Sequence, residues 1–181
     1  VVLDETTAQL PLNAYGASKH AVETILRDFE AAHGLRHVIF RYFNVAGADP
    51  DGEIGEHHRP ETHLLPVMLE AIDGQRPQLT IHGTDYETED GTCVRDYVHV
   101  MDLVDAHLRG LKWLEDRRPS RVFNLGTGHG YSVRQVIDAA SAVTNAAVPH
   151  SEGPRRPGDA TKLVSGSSRA EEELGWRPDR S

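Results

Sequence analysis

The stretch AYGASKHAVETILRDFEAAHGLRHVIFRYFNV (residues 14–45) decides the fold class. Ala17, Ala21, Val22, Ile25, Leu26 and Phe29 recur at helical spacing, so residues 16–32 are expected to form a helix. Gly34 supplies its stop, because glycine enters the left-handed conformation that ends helices without a Cβ penalty. RHVIFRYFNV (36–45) then crowds β-branched and aromatic side chains into a short apolar run, the pattern of a buried parallel strand. Tyr15 and Lys19 stand four residues apart where the helix begins, which puts both side chains on one face. The ammonium charge of Lys19 near the phenol favours the phenolate and makes Tyr15 a better proton acceptor. A lysine so placed can also hold a ribose hydroxyl. The plain alternative is an exposed helical pair with no role.

The alternation continues along the chain. AGADPDGEIGEHHRPE (46–61) is a long Gly-, Asp- and Pro-rich loop. Leu64, Leu65, Val67, Met68, Leu69 and Ile72 mark a helix ending near Gly74. QLTIHG (78–83) reads as a strand, residues 84–93 as an acidic loop, and VRDYVHV (94–100) as another strand. Asp102 is expected to cap a helix carrying Leu103, Val104, Ala106, Leu108, Leu111 and Leu114. RVFNLG (121–126) is a further strand, and Ser132 opens a helix with Val133, Val136, Ile137, Ala140 and Val143 on its buried side. RRPGD (155–159) forms a basic turn, KLVSG (162–166) a short strand, and residues 168–174 a last short helix. Strands alternating with helices indicate an α/β protein.

Composition narrows the function classes. The 181 residues suffice for one domain or two small lobes, and 38% hydrophobic with 26% charged residues is ordinary for a globular chain. A net charge of −9 argues against nucleic acid or an anionic membrane as the main partner, although local arginines can still bind an anionic ligand. Cys93 is the single cysteine, which excludes an intrachain disulfide and suits a reducing compartment. No apolar run approaches the length needed to span a bilayer, and no signal peptide is evident, so a cytoplasmic protein is expected. GTGHG (126–130) follows a strand but lacks the Gly-x-Gly-x-x-Gly spacing of a dinucleotide fingerprint, and no acidic residue follows it at a convincing distance. His57, His58 and His63 have no second metal-like cluster and no HExxH, so no metal site is expected. Cys93 has no recognisable base beside it in the sequence.

LNAYGASKHAVETILRDF, RYFNVAGADPDGEIGE, GTDYETEDGTCVRDYVHVMDL, VFNLGTGHGYSV and PRRPGDATKLVS occur in colinear order. Together they resemble the extended short-chain dehydrogenases, and within them the UDP-glucose 4-epimerases. The resemblance implies the tail of a doubly wound parallel sheet plus a smaller α/β substrate-binding domain, truncated at both ends. Residues 1–45 would end an NAD-binding domain, and 46–181 would mainly bind the nucleotide sugar, with 94–126 returning to pack on the first domain.

In the family, the tyrosine matching Tyr15 takes the proton of the sugar 4-hydroxyl while the hydride passes to NAD. Lys19 and Phe43 match cofactor-binding positions. Asn44, at the carboxyl end of its strand, matches a ligand residue and occupies the usual crevice position of open α/β sheets. His63 and Leu64 fall where relatives contact the diphosphate sugar, although many carry Asn at the position of His63. Thr80, Ile81 and His82 match a strand whose backbone flanks the uracil. Arg95 and Arg156 match diphosphate ligands, a role suited to two rigid forks of donors. Ion pairs of Arg95 with Asp96 and Arg156 with Asp159 are the alternative. Asp159 suits a ribose hydroxyl, and the residue at Leu163 influences tolerance of an N-acetyl group.

The family's amino-terminal half carries the glycine-rich fingerprint, which leads to the expectation that this chain alone is an inactive fragment. Full-length relatives pair as homodimers. The other readings are a UDP-N-acetylglucosamine 4-epimerase, a 4,6-dehydratase or a non-catalytic nucleotide-sugar-binding remnant.

Overall fold

The computed structural model describes residues 2–180. The chain divides into two compact units, one of Val1–Gly47, Asp96–His129 and Leu163–Ser181, the other of Ala48–Arg95 and Gly130–Lys162. The boundaries expected from sequence differ from this division, because Leu163–Ser181 belongs to the first unit rather than to the second.

In the first unit, helix α1 spans Ala14–His33. Asn13 caps it by accepting the Gly16 N–H, and Gly34 ends it in the left-handed region at φ 68°. Val22, Ile25 and Phe29 of its apolar stripe are exposed, and the buried residue is Glu23. Glu23 receives Arg41 Nε and Nη2 at 2.8 and 2.6 Å and Gln9 Nε2 at 3.1 Å. This paired guanidinium–carboxylate contact fastens α1 to the following strand.

The expected strand 36–45 breaks into β1 (Val38–Tyr42) and β2 (Asn44–Ala46) because it changes partners at Phe43. The expected strand 94–100 breaks likewise, into β4 (Val94–Arg95) and β5 (Tyr97–His99), after β3 (Leu79–His82). Strand β1 pairs in parallel with β6 (Arg121–Leu125), and β2 pairs in parallel with β5. Between β5 and β6 runs α3 (Val100–Glu115). Its cap is His99, whose Nδ1 accepts the Met101 N–H; Asp102 does not cap it. Asp102 is buried in the first turn, where it accepts the Asp179 and Arg180 N–H groups and pairs with the Arg180 guanidinium at 2.6 Å.

Val98, Leu103, Ala106, Trp113, Phe123, Leu125, Ala170 and Trp176 make the core of this unit. Burying each larger side chain contributes about 1.5–3 kcal/mol. The expected final helix forms over residues 168–174 and widens to a π-helical turn at Ala170–Leu174, closed by Gly175.

The second unit holds a separate core of Val67, Met68, Leu79, Ile81, Ile137 and Val148. Helix α2 spans Leu64–Ile72, and α4 spans Val133–Thr144 after β7 (Tyr131–Ser132). Ser132 and Gln135 form a reciprocal capping box, satisfying two orphan N–H groups. Val143 is 87% exposed, contrary to its expected burial, because α4 presents only its Ile137 side to the core. Strand β3 pairs in parallel with β8 (His150–Gly153). HSEG carries no apolar alternation, so sequence gave no sign of that strand. Strand β4 lies between β7, antiparallel to it, and β9 (Lys162–Leu163).

Burial by itself pushes the Glu23 carboxyl up, but the hydrogen bonds and charge of Arg41 hold it below its ordinary 4.5. A depressed folded-state value contributes stability that is complete above about pH 4.5 and lost as pH falls through the lowered folded value. Glu23→Gln should therefore lower stability at pH 7 and flatten its loss in acid, as measured by urea denaturation between pH 3 and 7, taken as an approximate range. Asp96→Ala should cost about 3 kcal/mol in the same assay at neutral pH, because its carboxylate accepts hydrogen bonds from Thr127 and from the buried Ser165 N–H.

Candidate active site

Asp96 is wholly buried. Its carboxylate accepts Thr127 N–H at 3.0 and 3.1 Å, Thr127 Oγ1 at 2.7 Å and Ser165 N–H at 3.1 Å. Gly126 lies against the same segment, and a Cβ there would sit 2.2 Å from the Ser165 carbonyl oxygen. The Gly128 N–H donates to that oxygen at 2.9 Å. The Thr127 and Gly128 amides of this glycine-containing turn therefore serve the protein itself, as a structural turn does.

Successive residues of an extended segment project to opposite faces. Arg95 does not pair with Asp96: its Nη1 donates to the carbonyls of Val94 and Ala160 at 2.9 and 2.8 Å. The second carbonyl adjoins the turn that carries Arg156 and Asp159. In that turn Asp159 N–H donates to Arg156 O at 3.2 Å, and Arg156 Nε stands 3.7 Å from Asp159 Oδ2. The alternative ion pair thus forms at Arg156, long and largely solvated, and does not form at Arg95. Arg95, Arg156 and Asp159, separated by some sixty residues in sequence, are brought into one neighbourhood of the second unit.

Two side chains that sequence reasoning passed over belong to it. Arg155 lies over the Tyr86 ring at 4.3 Å and donates to Asp85 at 2.7 Å. Tyr86 is buried; burial, followed by the charges of Asp159 and Cys93, pushes its phenol up. Burial likewise raises the Cys93 thiol, which makes it a poor nucleophile. The adjacent arginines in PRRPGD were the only available signal, and the turn reading absorbed them.

Strand β3 contributes Thr80, Ile81 and His82, registered with Ser151, Glu152 and Gly153 of β8. Ile81 points into the core, so only backbone groups of this residue can serve a ligand, as its sequence context implied. His63 precedes α2 with its side chain 59% exposed, whereas Leu64 packs against the core cluster. His63 Nδ1 lies 2.9 Å from Glu61 Oε1 and 3.2 Å from Glu56 Oε1. His58 Nδ1 is 3.7 Å from the same Glu61 oxygen. Spacing gave no reason to expect this cluster, because its Glu lies between the histidines and Pro60 bends the segment that joins them.

In the first unit, Tyr15 is 72% exposed at the first turn of α1. Lys19 Nζ stands 5.2 Å from the Tyr15 ring centroid, so helical spacing does place the pair together. Phe43 sits half-buried between β1 and β2. Asn44 begins β2 opposite Tyr97, and its N–H donates to the Asp96 carbonyl at 3.1 Å. Tyr15 and Lys19 lie on the helix, while Phe43 and Asn44 lie at the end of the first parallel strand.

The UDP-glucose 4-epimerase of Lacticaseibacillus casei is 50% identical over 179 residues, which are 99% of this chain and 54% of that protein. The crystal structure of UDP-glucose 4-epimerase from Bifidobacterium longum in complex with NAD+ and UDP superposes with a TM-score of 0.95 at 38% identity, covering 100% of this chain and 55% of that one. The Brucella ovis enzyme in complex with NAD gives 0.94 at 43% identity, covering 100% and 56%. The chain spans about half the length of the curated relatives it matches. No helix among the described residues is long and apolar enough to cross a membrane. Residues 3–126 match the family described as NAD dependent epimerase/dehydratase, and with its parallel α/β pairs, its Tyr15–Lys19 helix and its colinear relatives, the chain belongs to that family.

Proposed function

We propose that this chain supplies the proton-transfer pair and the nucleotide-sugar site of an NAD-dependent UDP-glucose 4-epimerase, which interconverts UDP-glucose and UDP-galactose by inversion at C4 through a transient 4-keto sugar. The supporting observation is the convergence of Arg95, Arg156 and Asp159, fastened by the Arg95–Ala160 hydrogen bond. Two guanidinium groups suit a diphosphate, and a carboxylate suits a ribose diol. Relatives crystallised with UDP and NAD+ point to the same ligands.

Tyr15, Lys19 and Phe43 fit the nicotinamide–ribose end of NAD: an exposed phenol, an ammonium beside its ring and an aromatic face at a strand end. The turn 126–130 does not fit the cofactor's diphosphate, since its Thr127 and Gly128 amides already donate to Asp96 and Ser165. NAD, when bound, supplies the acceptor and donor of the hydride. Tyr15 takes the proton from the sugar 4-hydroxyl and returns it, and the Lys19 ammonium favours the phenolate form that accepts that proton. Asn44, His63, Leu64 and the backbone of Thr80, Ile81 and His82 complete the sugar-nucleotide contacts. Firm binding of the diphosphate allows the hexose itself to be held loosely enough to turn. A cytoplasmic setting in galactose metabolism and a homodimer of the full-length protein belong to the same reading, as does inactivity of the 181-residue chain by itself.

Titration calorimetry with UDP and with uridine tests the diphosphate site. Arg156→Ala should weaken UDP by about tenfold, near 1.4 kcal/mol, and leave uridine unchanged. Equal loss for both ligands, or none for UDP, would contradict the assignment. In a complete, NAD-loaded protein, Tyr15→Phe should lower turnover by orders of magnitude without releasing NAD; near-normal activity would remove Tyr15 as the base.

A further inference from the structure

The loop before α2 holds a cluster of which the epimerase reading uses only His63. Ligand atoms of His58, Glu61 and His63 lie within 4.8 Å of one another. Both imidazoles turn Nδ1 toward one carboxylate, at 3.7 and 2.9 Å, with ring centroids 5.1 Å apart and planes inclined by 49°. Glu56 adds a second carboxylate 3.2 Å from His63 Nδ1. We propose that His58, Glu61 and His63, with Glu56 as fourth ligand, bind one divalent transition-metal ion of the zinc type.

Zinc bonds to nitrogen and oxygen of about 2.0–2.2 Å in a tetrahedron place neighbouring ligand atoms roughly 3.3–3.5 Å apart. The observed separations bracket that spacing, so small side-chain rotations close the site around an ion. Glu61 is a fixed anchor. Its side chain is 7% exposed, and its Oε1 accepts the Thr62 and His63 N–H groups at 2.7 and 2.8 Å. Those bonds hold in place the carboxylate oxygen that both imidazoles face.

The histidines are half exposed, at 50% and 59%. Exposed pairs gain little from ordering long side chains against each other. Convergence of two imidazoles and two carboxylates within eight residues is therefore not something the fold requires. An imidazole–carboxylate set favours zinc, cobalt or nickel over calcium or magnesium.

Metal on Nδ1 of His63 leaves its proton on Nε2, which makes that nitrogen an obligatory donor. It also clasps residues 56–63 at the entry to α2. The inference does not depend on the epimerase reading.

Titration of the protein with Co2+ and then Zn2+ tests it. One equivalent should bind saturably in the micromolar range with the visible absorption of tetrahedral cobalt, and Zn2+ but not Mg2+ should displace it. His58→Ala should weaken binding by at least about tenfold, whereas His57→Ala, altering the adjacent exposed histidine, should leave it intact. Long-range nitrogen–proton spectra of the unaltered protein should show the Nδ1 resonances of His58 and His63 shifting together on adding Zn2+. Absence of saturable binding, equal effects of the two substitutions, or unshifted Nδ1 resonances would overturn the proposal.

Discussion

The first unit depends on one buried carboxylate. Asp96 takes hydrogen bonds from Thr127 and Ser165, two segments far apart in the chain, while its own backbone joins Asn44 on one side and Leu163 on the other. A buried charge is tolerable only when its hydrogen-bonding capacity is met, and charge-assisted bonds of this kind are each worth about 1.5–3 kcal/mol. The geometry then propagates outward. Gly126 must lack a Cβ because the Ser165 carbonyl closes over it. The turn 126–130 is thereby committed to holding the fold, and β2 is set in register with β5 where Asn44 begins. What resembles a phosphate loop in composition is a structural turn, for a physical reason: its donors are already engaged.

The second unit works differently. Its core fixes β3 and the helices, but the residues suited to an anionic ligand sit at its edge. Arg95 is oriented by two backbone carbonyls rather than by a carboxylate. A guanidinium held by neutral acceptors keeps its charge uncompensated at close range, which is the condition a diphosphate requires. Arg156 is held only by a long, solvated contact to Asp159. Arg155, by contrast, is committed to Asp85 and to the Tyr86 face. Three arginines of similar sequence context thus differ in what they can offer a ligand.

Much of this was legible in the residues. Helical periodicity gave α1 and α2, short apolar runs gave the main strands, and Ser132 marked the start of α4. Spacing placed Tyr15 and Lys19 together, because four residues on a helix face are neighbours whatever surrounds them. The misreadings share a cause. Val143 fits the buried stripe of α4 yet is exposed, since periodicity identifies a stripe but not its partner. Asp102, expected as a cap, is buried, and so is Glu23, since only distant partners, Arg180 and Arg41, make their burial tolerable. Strand β8 carries no apolar signal because it borrows its hydrogen bonds from β3.

The sequence by itself determined the local alternation of helix and strand, the Tyr15–Lys19 pair and the colinear motifs that carry the family. These follow from contacts between residues a few positions apart. Only the tertiary structure decided that Asp96 turns inward, that Arg95 meets the Arg156–Asp159 turn, and that His58, Glu61 and His63 share one carboxylate. Backbone hydrogen bonds between remote segments and the path of a loop set those outcomes, and neither is written in the spacing of the residues.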